Sequence, residues 1–487
     1  MSEKGCLEVI LSSQRARAIA LLAGLAMIGC TAALDAQSGA SRNPLIDRYV
    51  RTEMATRRIP GLALLVTKNH RIVYAANYGV ANLELQAPVT ERTSFEIASM
   101  SKQFTDAAIL WLAEQGKLDV DDRLSKFFTD LPAAWSGITL RQLMTHTAGL
   151  RDDFDEDDPF FYSKTTPLEF FDALKAAPLK FPPGTSVSYG CGPFVLGLVI
   201  ERVSGQSYAA FMREHIFRPL GMSSTDINDP VPIVPDRASG YVIRGGTLRN
   251  GVRISPAAEA RGDVGIRTTA RDLMRWDAAL DGSTLLSEDS RRAMFTPGRL
   301  TNGEVVPYGF GWYIVPFRGH TETTHDGNFR TGFGTTIARY PDDSLTVVVL
   351  TNLQGANTYS IARGVAAFYD PDYRPIPAMS PQRDGFPART ASATRLIEAI
   401  RDSQPMPDLL SGARWSGLYE LAQLRENLAG ARAPVFIDCQ DLRSRQVQIG
   451  SSRIVANCFY RIEGAKMRYW TISFTADGRV AYLEPEE

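Results

Sequence analysis

The chain has 487 residues, 44% hydrophobic and 22% charged, a composition that fits a soluble globular protein long enough for two or three domains. Lys and Arg number 53 against 54 Asp and Glu, and a net charge of -1 gives neither nucleic acid nor an anionic surface a field to bind. The histidines (His70, His146, His215, His320, His325) include no pair at ligand spacing and no Cys-x-x-Cys occurs, so neither a metal centre nor a cofactor is expected.

Arg15 and Arg17 precede the apolar run Ala18 to Ile28, too short to span a bilayer but suited to the core of a signal peptide. Residues 1–36 are read as an export signal, with a periplasmic or secreted destination. Cleavage after Ala36 is one processing route. Met27-Ile-Gly-Cys30 offers another, because it resembles a bacterial lipobox and would leave an acylated Cys30 as a membrane anchor. Asn43 to Arg58 then reads as a polar helix. Pro60-Gly61 breaks it, Leu62 to Val66 reads as a strand, and Asn69-His70 turns the chain back into Ile72 to Tyr74.

The next stretch, Phe95-Glu-Ile-Ala-Ser-Met-Ser-Lys-Gln-Phe104, organises the chain. Phe104, Ala107, Ala108, Trp111 and Leu112 recur at helical spacing, so Ser99 opens a helix that buries one face. Lys102 follows three residues later, about 60° away around the helix, within reach of the serine hydroxyl. Alone, the pair reads as an N-cap and a solvated lysine. Here apolar neighbours (Ile97, Ala98, Met100, Phe104) desolvate the amine and favour its neutral form, which makes Ser99 a nucleophile and Lys102 its activator.

Ile138 to Leu150 reads as a helix with Thr139 as N-cap and Gly149 as its stop; His146 within it reads as a tie between helix end and core, since no acid is placed to orient it as a base. The acidic run Asp152 to Asp158 reads as a solvated loop without the spacing of a calcium site. After the turn Pro182 to Thr185, Tyr189 stands just before an apolar helix that ends at Gly205. Strand patterns follow at Tyr308 to Val315, Thr324 to Asn328, Phe333 to Tyr340 and Leu345 to Asn352. Early strands, central helices and late strands imply an antiparallel sheet closed by both ends of the domain.

Ser99-Met-Ser-Lys102, Leu143-Met-Thr-His-Thr-Ala-Gly-Leu150, Tyr189-Gly-Cys191 and His325-Asp-Gly327 resemble, in order and rough spacing, the motifs of the serine β-lactamase-like superfamily, especially class C β-lactamases, D,D-peptidases and related esterases. The resemblance covers about residues 45–370. It implies an α/β fold, an antiparallel sheet flanked by helices with an all-helical subdomain between its halves. It also implies catalytic roles for Ser99, Lys102 and Tyr189, the last as the group that moves protons to the leaving group and from water. Backbone N–H groups of Ser99 and Asn328 would form the oxyanion hole, and Gly327 would let substrate lie against a strand edge. His325 stands where the family usually has the Lys of Lys-Thr-Gly. Cys191 replaces the Asn of Tyr-x-Asn, a substrate-binding position, and a thiol is a weak substitute for a carboxamide.

The expected domains are a signal peptide (1–36), a serine hydrolase domain (43–370), a Pro-rich linker (371–408) and a small all-β C-terminal domain (409–487) opening at Trp415 to Tyr419. In the last, Trp470, Ile472 and Phe474 lie on one face of a strand, Asp477-Gly478 makes a hairpin, and Cys439 can pair with Cys458 in an oxidising compartment, leaving Cys191 as the odd thiol. The function expected is that of an exported serine hydrolase acting on a small-molecule ester, peptide or β-lactam. Esterase activity is favoured over D,D-peptidase or β-lactamase activity because of Cys191. A penicillin-binding receptor with negligible turnover is the alternative of another class.

Overall fold

A continuous apolar strand is stable only when both its faces are covered, and Leu62-Ala-Leu-Leu-Val66 meets that condition. In the computed structural model, residues 43–486 are described apart from 152–165, 230, 253–261, 318–319, 377–378, 407–408, 411–420, 444–446, 450–451 and 465–467. The signal peptide with Cys30, the acidic run and Trp415 to Tyr419 lie outside the described residues.

Helix α1 (Pro44–Arg57), capped by the Asn43 side chain, leads into β1 (Gly61–Lys68) and β2 (Arg71–Asn82). Asn69 and His70, both at positive φ, form the tight turn between the strands. With β3 (Ala87–Pro88), β4 (Tyr313–Phe317), β5 (His320–Phe329), β6 (Phe333–Tyr340) and β7 (Leu345–Thr351) they make a seven-stranded sheet in the order β4-β5-β6-β7-β1-β2-β3. The early and late strands join antiparallel from Leu62↔Thr351 to Lys68↔Leu345.

One sheet face, carrying Leu62, Leu64, Val66, Val347 and Val349, packs with Ile46 and Val50 of α1 and with Ile361 and Val365 of α7 (Thr358–Ala366). The other, carrying Ala63, Leu65, Ile337, Val348 and Leu350, faces a larger helical core. That core contains α2 (Lys102–Glu114), α3 (Leu140–Met144), α4 (Pro167–Ala176), α5 (Gly192–Ser204) and α6 (Ala270–Asp281).

Two local readings change. The helix expected over 138–150 is only α3, because Thr145 leaves helical geometry and His146 turns left-handed at φ 57°. The strand expected from Tyr308 begins at Tyr313, because Gly311 takes φ 76° and packs where a β-carbon would lie 2.4 Å from Gln103 Cα.

The stretch expected to link the domains holds a fifteen-residue helix, α8 (Pro387–Arg401), whose Ala393, Leu396, Ile397 and Ile400 are buried in the core of the C-terminal sheet. Within 409–487 itself a short helix, Leu421–Asn427, accompanies the strands, so the region expected to be all-β is β-rich. Its sheet is β8 (Val435–Asp441), β9 (Ala456–Ile462), β10 (Arg468–Phe474) and β11 (Val480–Glu486) in that order, and Trp470, Ile472 and Phe474 are all fully buried. Cys439 and Cys458, opposite each other on β8 and β9, are joined by a disulfide, and Cys191 lies outside it as a buried thiol. Phe459 of β9 packs on Phe317 of β4 with ring centroids 6.0 Å apart, seating the C-terminal region on the main sheet.

Candidate active site

The site forms where the turn before α2 meets β5 past Thr324, the last β5 residue paired with β4, so that β5 is locally an edge there. Ser99 lies in a 3-10 turn, Ala98–Ser101, that runs directly into α2, and Ala98 enters it at φ 46°. Apolar burial of Ile97, Met100 and Phe104 fixes that turn and leaves Ser99 partly open, while Lys102 is only 2% exposed. Lys102 Nζ donates to Ser99 Oγ and to the Asp263 carbonyl, each at 3.1 Å. Ser101 Oγ accepts the Ile266 N–H at 3.0 Å, which pins the segment supplying that carbonyl.

Tyr189 meets this pair from the helical side, its ring centroid 4.9 Å from Lys102 Nζ. Its ring packs on His146 at 4.5 Å and lies nearly parallel to Tyr313, 17° between planes and 6.1 Å between centroids. Cys191, two residues on, sits at the N-cap of α5 and is buried in the helical core.

From the sheet, β5 contributes His325, Gly327 and Asn328, paired with Ile337, Thr335 and Gly334 of β6. Thr335 Oγ1 donates to the Ile97 carbonyl at 3.1 Å, tying β6 to the turn that carries Ser99. His325 is fully buried. Its Nδ1 lies 2.6 Å from the Asp326 carbonyl, which only accepts, so Nδ1 carries the proton and Nε2 accepts from the Tyr308 hydroxyl at 3.0 Å. Burial first, and the nearby Lys102 charge second, push the His325 pKa down from 6.5 to about 3, which leaves a neutral ring at the position where the family motif places a lysine.

The fold thus gathers Ser99, Lys102, Tyr189, His325, Gly327 and Asn328 around one edge. Two contributors were not singled out from the sequence. Asp263 acts through its backbone carbonyl, which carries no side-chain signal. Tyr308 lay in a Gly-rich stretch, Tyr308-Gly-Phe-Gly-Trp312, that reads as a strand. Among the described residues a single group could hold a metal ion, His320 with Asp343 and Asp370; it holds itself together through His320 contacts to the carboxylates and to the Tyr373 hydroxyl.

The beta-lactamase family model matches residues 46–369. The chain is 30% identical over 322 residues to a penicillin-binding protein of Bacillus subtilis (strain 168), covering 61% of this chain and 69% of that one. It is 27% identical over 329 residues to the D-aminopeptidase of Gluconobacter oxydans (strain 621H), covering 65% and 60%. The chain thus spans about 60 to 69% of the length of these relatives.

Among solved structures, a penicillin-binding protein from Bacillus halodurans aligns at 30% identity and TM-score 0.58, over 66% of this chain and 99% of that one. A penicillin-binding protein homologue from Pyrococcus abyssi shares the fold at 21% identity and TM-score 0.59, over 90% of this chain and 94% of that one, a span reaching beyond the family match. A family match over most of a chain that also folds as its relatives do makes this protein a member of the beta-lactamase family of serine hydrolases.

Proposed function

We propose that the protein is an exported hydrolase that forms an acyl-enzyme at Ser99 and prefers small uncharged esters to β-lactams or D,D-peptides. The observation that carries this reading is the 3.1 Å contact between Lys102 Nζ and Ser99 Oγ in a site closed to bulk water on the lysine side. With Lys102 in its neutral amine form, Ser99 Oγ attacks the ester carbonyl as its proton passes to Lys102 Nζ. The carbonyl oxygen becomes an oxyanion held by the Ser99 and Asn328 N–H groups. Tyr189, beside Lys102, passes a proton to the departing alkoxide, and the C–O bond to the alcohol breaks. Water then loses a proton to the Tyr189 phenolate and attacks the acyl carbonyl, and the acid departs as Ser99 Oγ takes its proton back from Lys102.

Two features support an uncharged substrate. The neutral His325 offers no fixed cation to a substrate carboxylate. Cys191 offers no carboxamide to an acyl-amide side chain, a contact worth about 1 to 3 kcal/mol where it is made. The D-aminopeptidase relative favours a second reading, aminopeptidase-type amide hydrolysis.

Purified protein assayed with p-nitrophenyl acetate, nitrocefin and D-alanyl peptides separates these. We expect kcat/KM for the ester at least about 100-fold above that for nitrocefin. Equal rates would install the β-lactamase reading, faster peptide cleavage the aminopeptidase one, and stoichiometric acylation without turnover a receptor. N-terminal sequencing of protein from the native host tests export: a start after Ala36 or a lipidated Cys30 supports it, and a start at Met1 refutes it.

A further inference from the structure

Tyr189 lies in a stretch without regular structure, between the turn at Pro182 to Thr185 and α5, so something other than a helix or strand must hold it against Lys102. His146 touches the chain on both sides of it. The Ser188 N–H donates to the His146 carbonyl at 2.9 Å and the Gly190 N–H to His146 Nδ1 at 3.2 Å. The imidazole also packs against the Tyr189 ring at 4.5 Å and the Tyr308 ring at 4.8 Å. His146 reaches this place because α3 stops at Met144 and His146 turns left-handed, at φ 57°, an uncommon conformation for a side chain that is not glycine.

The ring is 4% exposed, and Nε2 has no hydrogen-bond partner among the described residues, so its hydrogen bond goes to Gly190 and none goes to Ser99. Because Nδ1 accepts, the neutral ring carries its proton on Nε2. Burial, with the Lys102 charge and His325 nearby, holds the ring neutral by lowering its pKa well below 6.5.

We propose that His146 is the positioning residue of Tyr189: its carbonyl and Nδ1 clamp the backbone before and after the tyrosine while its ring supports the phenol face. The proposal rests on Tyr189 as the proton-transferring group. Strain of the kind seen at φ 57° persists where surrounding structure over-determines it, and here the clamp supplies that constraint.

The test compares His146→Asn, whose side-chain oxygen falls near Nδ1, with His146→Gln, whose amide reaches instead toward Nε2, and with His146→Phe, which keeps a ring and loses the acceptor. Each is assayed on p-nitrophenyl acetate alone and in a Tyr189→Phe background, with thermal unfolding as the check on folding. We expect His146→Asn to stay within about threefold of wild-type kcat, and Gln and Phe to fall by at least about tenfold with KM little changed, since displacing a catalytic group by about 1 Å costs up to about 100-fold. In Tyr189→Phe the Gln and Phe losses should vanish.

Equal losses for Asn and Gln, wild-type kcat in both, or losses that persist in Tyr189→Phe overturn the clamp. Wild-type turnover by Tyr189→Phe itself instead removes the reading of Tyr189, and the clamp with it. If His146→Phe does not fold, the Asn and Gln pair decides alone.

Discussion

Gly327 of β5 and Ile97, two residues before Ser99, are in backbone contact: a β-carbon at Gly327 would lie 2.0 Å from the Ile97 carbonyl oxygen and 2.5 Å from Thr335 Oγ1. Gly327 therefore sets how closely β5 approaches the Ser99 turn, and with it the spacing of the two N–H groups proposed for the oxyanion. We expect Gly327→Ala to lower the acylation rate by about 100-fold or more, the scale of losing one oxyanion donor, with the helical core intact by circular dichroism. Burst kinetics with p-nitrophenyl acetate measure it, and an unchanged burst rate contradicts this role.

The neutral His325 has a consequence for stability. Its folded pKa, about 3, lies below the ordinary 6.5, so between those values the unfolded chain takes up a proton that the folded one refuses. Stability is then present above about pH 6.5 and is lost as the pH falls toward 3. We expect His325→Gln to flatten the fall of Tm between pH 6.5 and 4 relative to wild type, and parallel curves contradict the assignment.

Asp106 carries the opposite sign. It lies one helical turn beyond Lys102, fully buried, with no hydrogen-bond partner for either carboxylate oxygen among the described residues. Burial pushes its pKa well above the usual carboxylate range, against the pull of Lys102. The folded protein keeps a proton that the unfolded chain releases, so stability falls as pH rises above about 4. Asp106→Ala should raise Tm at pH 8 and gain less at pH 4; a destabilised variant at both contradicts the reading.

On the opposite sheet face, Glu322 of β5 and Arg363 of α7 form a buried ion pair at 2.9 Å. Tyr359 donates to the same carboxylate at 3.1 Å, and the guanidinium lies over the Phe317 ring at 3.6 Å. Arg363→Met leaves a buried carboxylate uncompensated and should cost about 3 to 5 kcal/mol, whereas the double variant with Glu322→Gln should recover much of it. Urea titration of Arg363→Met, Glu322→Gln and the double variant reads this out, and additive losses would show that the pair is not coupled.

Cys191 tests substrate class from the chain itself. Cys191→Asn restores a carboxamide two residues after Tyr189, and we expect it to narrow the gap between ester and nitrocefin kcat/KM by about tenfold, within the 1 to 3 kcal/mol of one polar contact. Its burial at the α5 N-cap makes a thermal unfolding control part of the measurement.

Those parts of the fold set by local pattern were legible. The Asn69-His70 turn, the Thr139 cap, the Gly205 stop and the one-faced burial of Trp470, Ile472 and Phe474 follow from turn chemistry and periodicity, which act over a few residues. The misread elements were decided at long range. Tyr308 to Trp312 has strand composition, but packing of Gly311 on Gln103 bends it away from the sheet. Pro387 to Arg401 follows a Pro-rich stretch and reads as linker, yet its Leu396 and Ile400 find a sheet to cover. Within the site, Ser99 and Lys102 were legible because a three-residue spacing brings them together in the 3-10 turn that forms in place of the expected first turn of the helix. The Tyr308 to His325 bond joins positions whose pairing depends on how β4 and β5 fold together, which no local pattern encodes.

The central claim is that Ser99, activated by Lys102, is the residue that becomes acylated. Peptide mass spectrometry after labelling with a serine-directed fluorophosphonate tests it most directly in wild type, Ser99→Ala and Lys102→Ala. We expect the label on the peptide containing Ser99, none in Ser99→Ala, and labelling at least about 100-fold slower in Lys102→Ala, the scale of lost acid-base assistance. A label on another residue in wild type, or undiminished ester turnover by folded Ser99→Ala, would contradict it.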